Sequence, residues 1–243
     1  MTTEAEAVLY VKEGPVAHIV LNRPRVINAY NIQMRDELFQ VLEAVRDDPD
    51  VLAVILRGAG DRGFCAGADL SEFGTAPSQV VARSVRWERD VWGLFLSIRK
   101  PLVAQLHGYV IGSGVEIACL CDIRIASEDA VFSMPEVALG MVPAAGGTQT
   151  LPRTIGVGHA LEALLTGRRV PAQEALRLGL VHQVVPVDRL SQVTARLAND
   201  LASRRPEVLA GVKEAVLMGM DLPLAKGLEL EERLVMRLSA NRA

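Results

Sequence analysis

Two glutamates in this chain stand in apolar company. Glu116 is the only charged residue in the run Val115 to Cys121, and Glu136 sits between Pro135 and Val137-Ala138-Leu139. A carboxyl in such surroundings either finds partners or has its pKa pushed upward. Side by side, two of them could have their pKa values driven apart, giving one base and one acid. Adding or removing water across a polarised double bond needs that pairing. Locally, simpler readings stay open. Glu116, two residues past Gly114, could merely complement the dipole of a helix in its first turn, worth about 0.3–1 kcal/mol. Glu136 could be a solvated acid at a strand end.

Two Gly-rich stretches add to the chemistry. Residues 58–74 read GAGDRGFCAGADLSEFG, and Gly108, Gly112 and Gly114 punctuate the second. Each is predicted to follow a buried strand and precede a helix, where backbone N–H groups can face a polarised oxygen. One N–H from each could meet at a single oxyanion, although the glycines could also serve only to turn the chain. Neither stretch carries G-x-G-x-x-G at a strand–helix junction or G-x-x-x-x-G-K-[ST], which argues against phosphate cradling. Ser113 lies in I-G-S-G-V rather than G-x-S-x-G, and His107 has no evident partner, so a serine hydrolase is disfavoured. His18, His159 and His182 read as isolated. Cys65, Cys119 and Cys121 are odd in number and have apolar neighbours, which suggests free buried thiols in a reducing compartment. No matching His or Cys pair makes a metal site.

The elements that must position these residues follow from hydrophobic periodicity. Val8–Val11 and Ala17–Leu21 read as a hairpin around Glu13-Gly14-Pro15. A helix begins within Asn28–Asn31, with Met34, Leu38, Val41, Leu42 and Val45 as its stripe, and stops before Pro49. Val51–Leu56 and Leu102–Leu106 read as buried strands. Between them, Ser78–Ile98 is predicted to be one long helix carrying Trp87, Val91, Trp92, Phe95 and Ile98. Short strands follow at Asp122–Ala126 and Ala130–Ser133. Helices are then expected at Thr148–Ile155, Val157–Thr166, Ala172–Leu178, Asp188–Ala202, Pro206–Met220 and Pro223–Ser239, with one strand at Leu180–Val185. Repeated β-β-α units with a helical tail make a mixed α/β (α+β) fold. Tyr30, Phe73, Trp87 and Trp92 could line a pocket, and core packing is the simpler reading.

A chain of 243 residues can bury one large core with a helical appendage. Its composition, 50% hydrophobic and 23% charged, is that of a globular protein. A net charge of −3 and a pI near 5.9, with no basic stripe, argue against nucleic-acid binding. The acidic start lacks a signal-peptide pattern, and no apolar run approaches the about 18 residues of a membrane span. The expected location is the cytoplasm, with no membrane partner.

Five stretches in order carry a resemblance: LNRPRVINAY (21–30), GFCAGADLSEF (63–73), HGYVIGSGVEIACLCDIRIAS (107–127), FSMPEVALGMVPAAGGTQTLPRTIG (132–156) and LTGRRVPAQEALRLGLVHQVVP (165–186). Through them the chain, from about Val8 to Arg237, resembles the crotonase (enoyl-CoA hydratase/isomerase) superfamily. The resemblance implies a spiral core of stacked β-β-α units over 1–190 and a helical C-terminal region over 191–243. It implies trimers or dimers of trimers, an acyl-CoA thioester as substrate, and no cofactor beyond the coenzyme A of that substrate. The thioester oxygen would sit between the backbone N–H groups of Ala68 and Ser113. Glu116 and Glu136 match the two catalytic glutamates of the hydratase branch. Water would add syn across the 2,3 double bond of an enoyl-CoA, Glu116 taking its proton and Glu136 protonating C2. Gly112 and Ala144 would position water and substrate, and Arg25, Val26, Ala66, Ala68, Asp69 and Leu70 would contact CoA. Related members instead isomerise double bonds, hydrate ring enoyl-CoAs, hydrolyse acyl-CoA, or bind RNA.

Three departures from the family pattern stand out. Ser113 and Ala144 each replace a usual glycine, so both places must accept a Cβ. The chain closes on LSANRA, where family members usually continue with an acidic-Glu-Gly segment and a last helix near the CoA site. Either the sequence stops short of that helix or the protein lacks it, and the helical region over 191–243 is expected to be without it.

Overall fold

The structure, a computed structural model, describes residues 5–72, 75, 78 and 88–240. Among these, ten strands form two sheets. The six-stranded sheet has the order β1-β2-β3-β5-β7-β10 and the four-stranded sheet the order β4-β6-β8-β9. β1 (Val8–Glu13) and β2 (Val16–Leu21) make the expected antiparallel hairpin. Gly14 turns it at φ +57°, a conformation that favours glycine.

Beyond the hairpin, each unit places one strand in each sheet. β3 (Ala53–Gly58) is followed by β4 (Gly63–Cys65), β5 (Leu102–Leu106) by β6 (Tyr109–Ile111), and β7 (Ile123–Ser127) by β8 (Val131–Ser133). β3, β5 and β7 pair in parallel, and so do β4, β6 and β8. Strands covered on both faces read as continuous apolar runs, which is why β3 and β5 were legible. β9 (Val170–Pro171) and β10 (Gln183–Val185) close the two sheets. The strand expected over Leu180–Val185 thus narrows to its last three residues.

Helix α1 (Ile32–Asp47) is capped by Asn31, whose side chain accepts from Met34 N at 2.9 Å. It buries Met34, Leu38, Leu42 and Val45 in the core. The single helix expected over Ser78–Ile98 is not continuous. Asp90 leaves the helical region, and its side chain caps a new helix, α2 (Val91–Ser97), by accepting from Gly93 N at 3.0 Å. A capping carboxylate three residues before an unpaired N–H outweighed the apolar periodicity. Most of the preceding part of that expected helix, with Phe73 and Trp87, lies outside the described residues.

The remaining helices among the described residues are α3 (Ser113–Cys119), α4 (Gly147–Ile155), α5 (Val157–Thr166), α6 (Ala172–Arg177), α7 (Leu190–Ala202), α8 (Pro206–Gly219) and α9 (Leu224–Ala240). α7 covers the six-stranded sheet: Ala198 and Ala202 cluster with Val16, Ala53 and Ile55, and Leu190 with Val103, Ile125 and Val185. α8 and α9 pack on each other. The thiols of Cys65 and Cys121 are buried and free. Burial pushes both up to about 12, so they stay protonated at neutral pH.

Candidate active site

Three parallel strands of one sheet deliver the site. β4, β6 and β8 lie side by side, and from their C-terminal ends the chain runs directly into Ala68, Ser113 and Glu136. Cys65 pairs with Val110 and Ile111 with Ser133, so the three exits are in register. Gly112 N donates to Ser133 O at 2.9 Å, which ties the second exit to the third.

The first two exits meet glycine to glycine. A Cβ built on Gly67 would lie 3.2 Å from Ile111 O and 3.8 Å from the Gly112 Cα. On Gly114 it would lie 2.7 Å from Cys65 O. Side chains at these places would separate the loops, so the glycines do more than turn the chain. Their close approach sets Ala68 and Ser113, the next residue of each loop, beside one pocket. Among the described residues, neither the Ala68 nor the Ser113 backbone N–H has an acceptor. Ser113 is the first residue of α3, whose opening N–H groups lack intrahelical partners by construction.

Ala68 is held from outside the pocket. Tyr30 N donates to Gly67 O and Asp69 N to Tyr30 O, both at 2.8 Å. Arg23 reaches Asp69 Oδ2 at 2.8 Å and Ala29 O at 2.6 Å. Asn28, fully buried and at φ +55°, donates to Ala59 O, Gly63 O and Phe64 O at 2.9, 3.0 and 3.1 Å. Ser71 also donates to Asp69, and together with Arg23 it holds that carboxyl below the usual range.

Glu116 lies in the first turn of α3 and is 3% exposed. Its carboxylate does meet a helix N-terminus, but that of α4. Oε1 accepts from Ala145 N at 3.0 Å and from Gly147 N at 2.9 Å. A Cβ on Gly147 would lie 2.9 Å from Glu116 Oε1 and 2.6 Å from Met134 Cε, so a side chain there would push both ends aside. The position in the first turn is as expected, and the carboxylate's hydrogen bonds go in addition to the start of α4. Sequence reasoning started α4 one residue late and missed Ala145 and Gly147. The pair Gly146-Gly147 ahead of a helix was the available signal, since bare N–H groups at a helix start suit a carboxylate.

Glu136 opens a short 3-10 turn, Glu136–Leu139, rather than ending a strand. Its Oε2 is buried without a hydrogen-bond partner among the described residues. Its pKa is raised, first by burial and then by the charge of Glu116, against the lowering effect of its own backbone N–H. Gly112, at φ +49°, leaves the space that Glu136 occupies: a Cβ there would sit 2.7 Å from Glu136 Oε1.

Glu116, Glu136, Ala68, Ser113 and Ala144 line one pocket of about 330 Å³. The other residues expected at a CoA site lie outside it. Arg25 and Val26 are in the exposed 3-10 turn Pro24–Val26, and Leu70 begins another, Leu70–Glu72. Ala66 N ties these segments together through Ile27 O at 2.8 Å. Tyr30 and Trp92, read from sequence as core, line the pocket and stack at 5.8 Å. Trp92 also stacks on Phe95 at 6.5 Å, so it faces both core and pocket. Arg35, Arg89, Met141 and Val142 complete features of the wall that sequence reasoning did not find.

A family model described as Enoyl-CoA hydratase/isomerase matches residues 11–242. The short-chain-enoyl-CoA hydratase of Clostridium acetobutylicum is 39% identical over 228 residues, which cover 94% of this chain and 87% of that one. The mitochondrial enoyl-CoA hydratase of Pongo abelii is 40% identical over 92% of this chain and 76% of its own. A solved structure of an enoyl-CoA hydratase from Bacillus anthracis superposes with a TM-score of 0.90 at 37% identity. That match covers 95% of this chain and 90% of the other.

Proposed function

This chain belongs to the enoyl-CoA hydratase/isomerase family, and from that premise we propose how its residues carry the family's chemistry. The reaction is hydration of an enoyl-CoA thioester, with the crotonase fold as scaffold. The thioester oxygen accepts from the backbone N–H groups of Ala68 and Ser113. Those donors are aimed at the charge that develops as the thioester becomes an enolate. Ser113 adds the N-terminal end of α3 to the same task.

Glu116 is the base. Two amides of the α4 start fix its orientation, and its carboxylate takes a proton from the water that attacks C3. Glu136 is the acid. Its raised pKa keeps a larger protonated fraction near neutral pH, and its proton goes to C2. Both carboxylates line the same pocket, and acting from one side they would give syn addition. Gly112 makes room for Glu136, and Ala144 shapes the wall beside the water. Hydration involves no net oxidation or reduction, and each proton has a carboxylate, so the chemistry calls on no group beyond the substrate's own CoA. Arg25, Val26, Ala66, Ala68, Asp69 and Leu70 form the CoA side. There Val26 and Leu70 offer exposed apolar surface, and Asp69 acts through its ion pair with Arg23.

The observation that carries this reading is the shared pocket: a carboxylate pinned by α4, a second with a raised pKa, and two amides without acceptors. Hydration of a short 2-enoyl-CoA by wild type, Glu116→Gln and Glu136→Gln tests it. Each substitution should lower kcat by about 10²–10⁴-fold. Unchanged rates in both would overturn the assignment. Product mass separates the rival reactions: hydration adds one water, isomerisation adds nothing, and hydrolysis frees CoA.

The protein is further proposed to be cytoplasmic and to assemble as a trimer or dimer of trimers. Three free cysteines support a reducing compartment. Val157, Leu161 and Leu165 support assembly, because they form one exposed apolar stripe on α5. No helix among the described residues is long and apolar enough to cross a membrane. Light scattering on the purified protein tests the assembly, and a monomer at micromolar concentration would refute it.

A further inference from the structure

The pocket wall contributed by α1 and the turn into α2 carries charge that hydration does not use. Arg35 and Arg89 both line it, together with Asp90, Tyr30 and Trp92. Arg35 is one turn before Phe39 on α1, so the two share a helix face. The Arg89 guanidinium lies 5.4 Å from the centre of the Phe39 ring. The two arginines are therefore neighbours on one wall.

Neither is spent on a strong internal partner. Arg89 has no carboxylate partner among the described residues. Its guanidinium carbon sits over the Phe39 ring, and no hydrogen bond among the described residues engages its N–H groups, which leaves them available for a flat anion. Among the described residues, Arg35 pairs only with Asp36 next to it in sequence, at 2.9 Å. Such an adjacent, partly exposed pair is weak. Among the described residues, the acid groups facing the same pocket are Asp90, Glu116 and Glu136. Asp90 is engaged as the cap of α2, and the other two face each other's charge across the reacting end. A pocket for a purely alkyl chain gains nothing from two guanidinium groups, because desolvating a cation costs free energy unless an anion meets it.

We infer that the pocket accepts an enoyl-CoA whose acyl chain ends in a carboxylate, held by Arg89 with Arg35 beside it. This rests on the hydration reading above. Water still adds across the double bond, hydroxyl to C3 and hydrogen to C2, and the distal carboxylate is unchanged. The volume of about 330 Å³ is at the small end for ligand pockets, which favours a short chain. The aromatic pair Tyr30 and Trp92 packs against its methylene part.

Binding and turnover test the two readings separately. Calorimetry with the saturated analogues butyryl-CoA and glutaryl-CoA measures the carboxylate site without any reaction. Wild type should bind glutaryl-CoA at least about 10-fold tighter, the worth of one charge-assisted contact. Arg89→Gln should erase that preference and leave butyryl-CoA binding unchanged. Arg35→Gln should reduce it, and Arg89→Lys should restore part of it. Equal binding of the two thioesters by wild type would overturn the inference. So would an equal loss for both in the arginine variants, since the arginines would then be holding CoA phosphates. In turnover, kcat/KM for glutaconyl-CoA should exceed that for crotonyl-CoA by a similar factor. No turnover of either, with the binding preference intact, would refute hydration and still support the carboxylate site.

Discussion

Glu116 and Glu136 differ in what surrounds them, and their effects on stability differ accordingly. Glu136 has a raised pKa because its carboxyl is buried beside another acid. In its protonated form it carries no such cost. Its favourable contribution is therefore complete below the unfolded carboxyl pKa and is lost as the pH rises through the higher folded value. Glu136→Gln should raise Tm at about pH 7, and the gain should close at about pH 4. Thermal melts at the two pH values check this, and a gain independent of pH would contradict it. Gly112→Ala should leave the circular dichroism spectrum native and cut hydration by about 100-fold or more. Its new Cβ lands 2.7 Å from Glu136 Oε1, on a backbone at φ +49° that costs a side chain about 1–3 kcal/mol. Activity within a few-fold of wild type would mean that Glu136 is not confined as described. Glu116 was legible in sequence because a lone acid in an apolar run demands a reason. Gly147 was not, because a glycine needed for closeness looks the same as one needed for a turn. Tyr30 and Trp92 misled because a ring that is half in the core and half on a pocket has the period of a core residue.

At the scale of elements, the site depends on loops that are rigid without being regular. Asn28 organises the first of them through one amide shared among three carbonyls, while its Oδ1 accepts from Arg23 N at 2.9 Å. Asn28→Ala would leave those buried carbonyls unsatisfied and should cost about 2–3 kcal/mol in urea denaturation. The same change should raise KM and lower kcat together, since Ala68 hangs from this loop. A loss under about 0.5 kcal/mol would show the carbonyls to be satisfied otherwise. The helices followed from periodicity because each has a buried face, and β3 and β5 from continuous apolar runs because both of their faces are covered. The break at Asp90 did not, since a cap competes with the apolar pattern through one side chain. Nor did the pairing of β4, β6 and β8. Three-residue strands are too short to show a period, and their register is fixed by neighbours distant in sequence.

At the scale of the whole molecule, the described polar ties from the C-terminal helices to the body run through Lys213, Glu214 and Asp221. Lys213 on α8 donates to Asp122 Oδ2 at 2.8 Å and to Lys100 O at 3.2 Å. Asp122 Oδ2 also accepts from Leu102 N at 2.8 Å, so one carboxylate joins β5, the turn before β7, and α8. Lys213→Met should leave that carboxylate short of a partner and loosen the α8–α9 pair. Trypsin should then cut faster at the exposed Arg204, just before α8, and an unchanged rate would argue that apolar packing and the Arg99–Glu214 ion pair hold the helices without it. The division expected at residue 190 remains a proposal about where the helical region starts, with α7 packed on the sheet. The glycine contact between the first two loops has a metric consequence. It makes the spacing of neighbouring strands, about 4.8 Å, the ruler for whatever the loops hold in common. Two amides that far apart, each about 2.9 Å from a shared oxygen, converge on it at about 110°. That is close to the angle between the lone pairs of a carbonyl. The proposed reaction geometry would then come from the rise of one layer of the coil to the next, a length the backbone sets regardless of side chains.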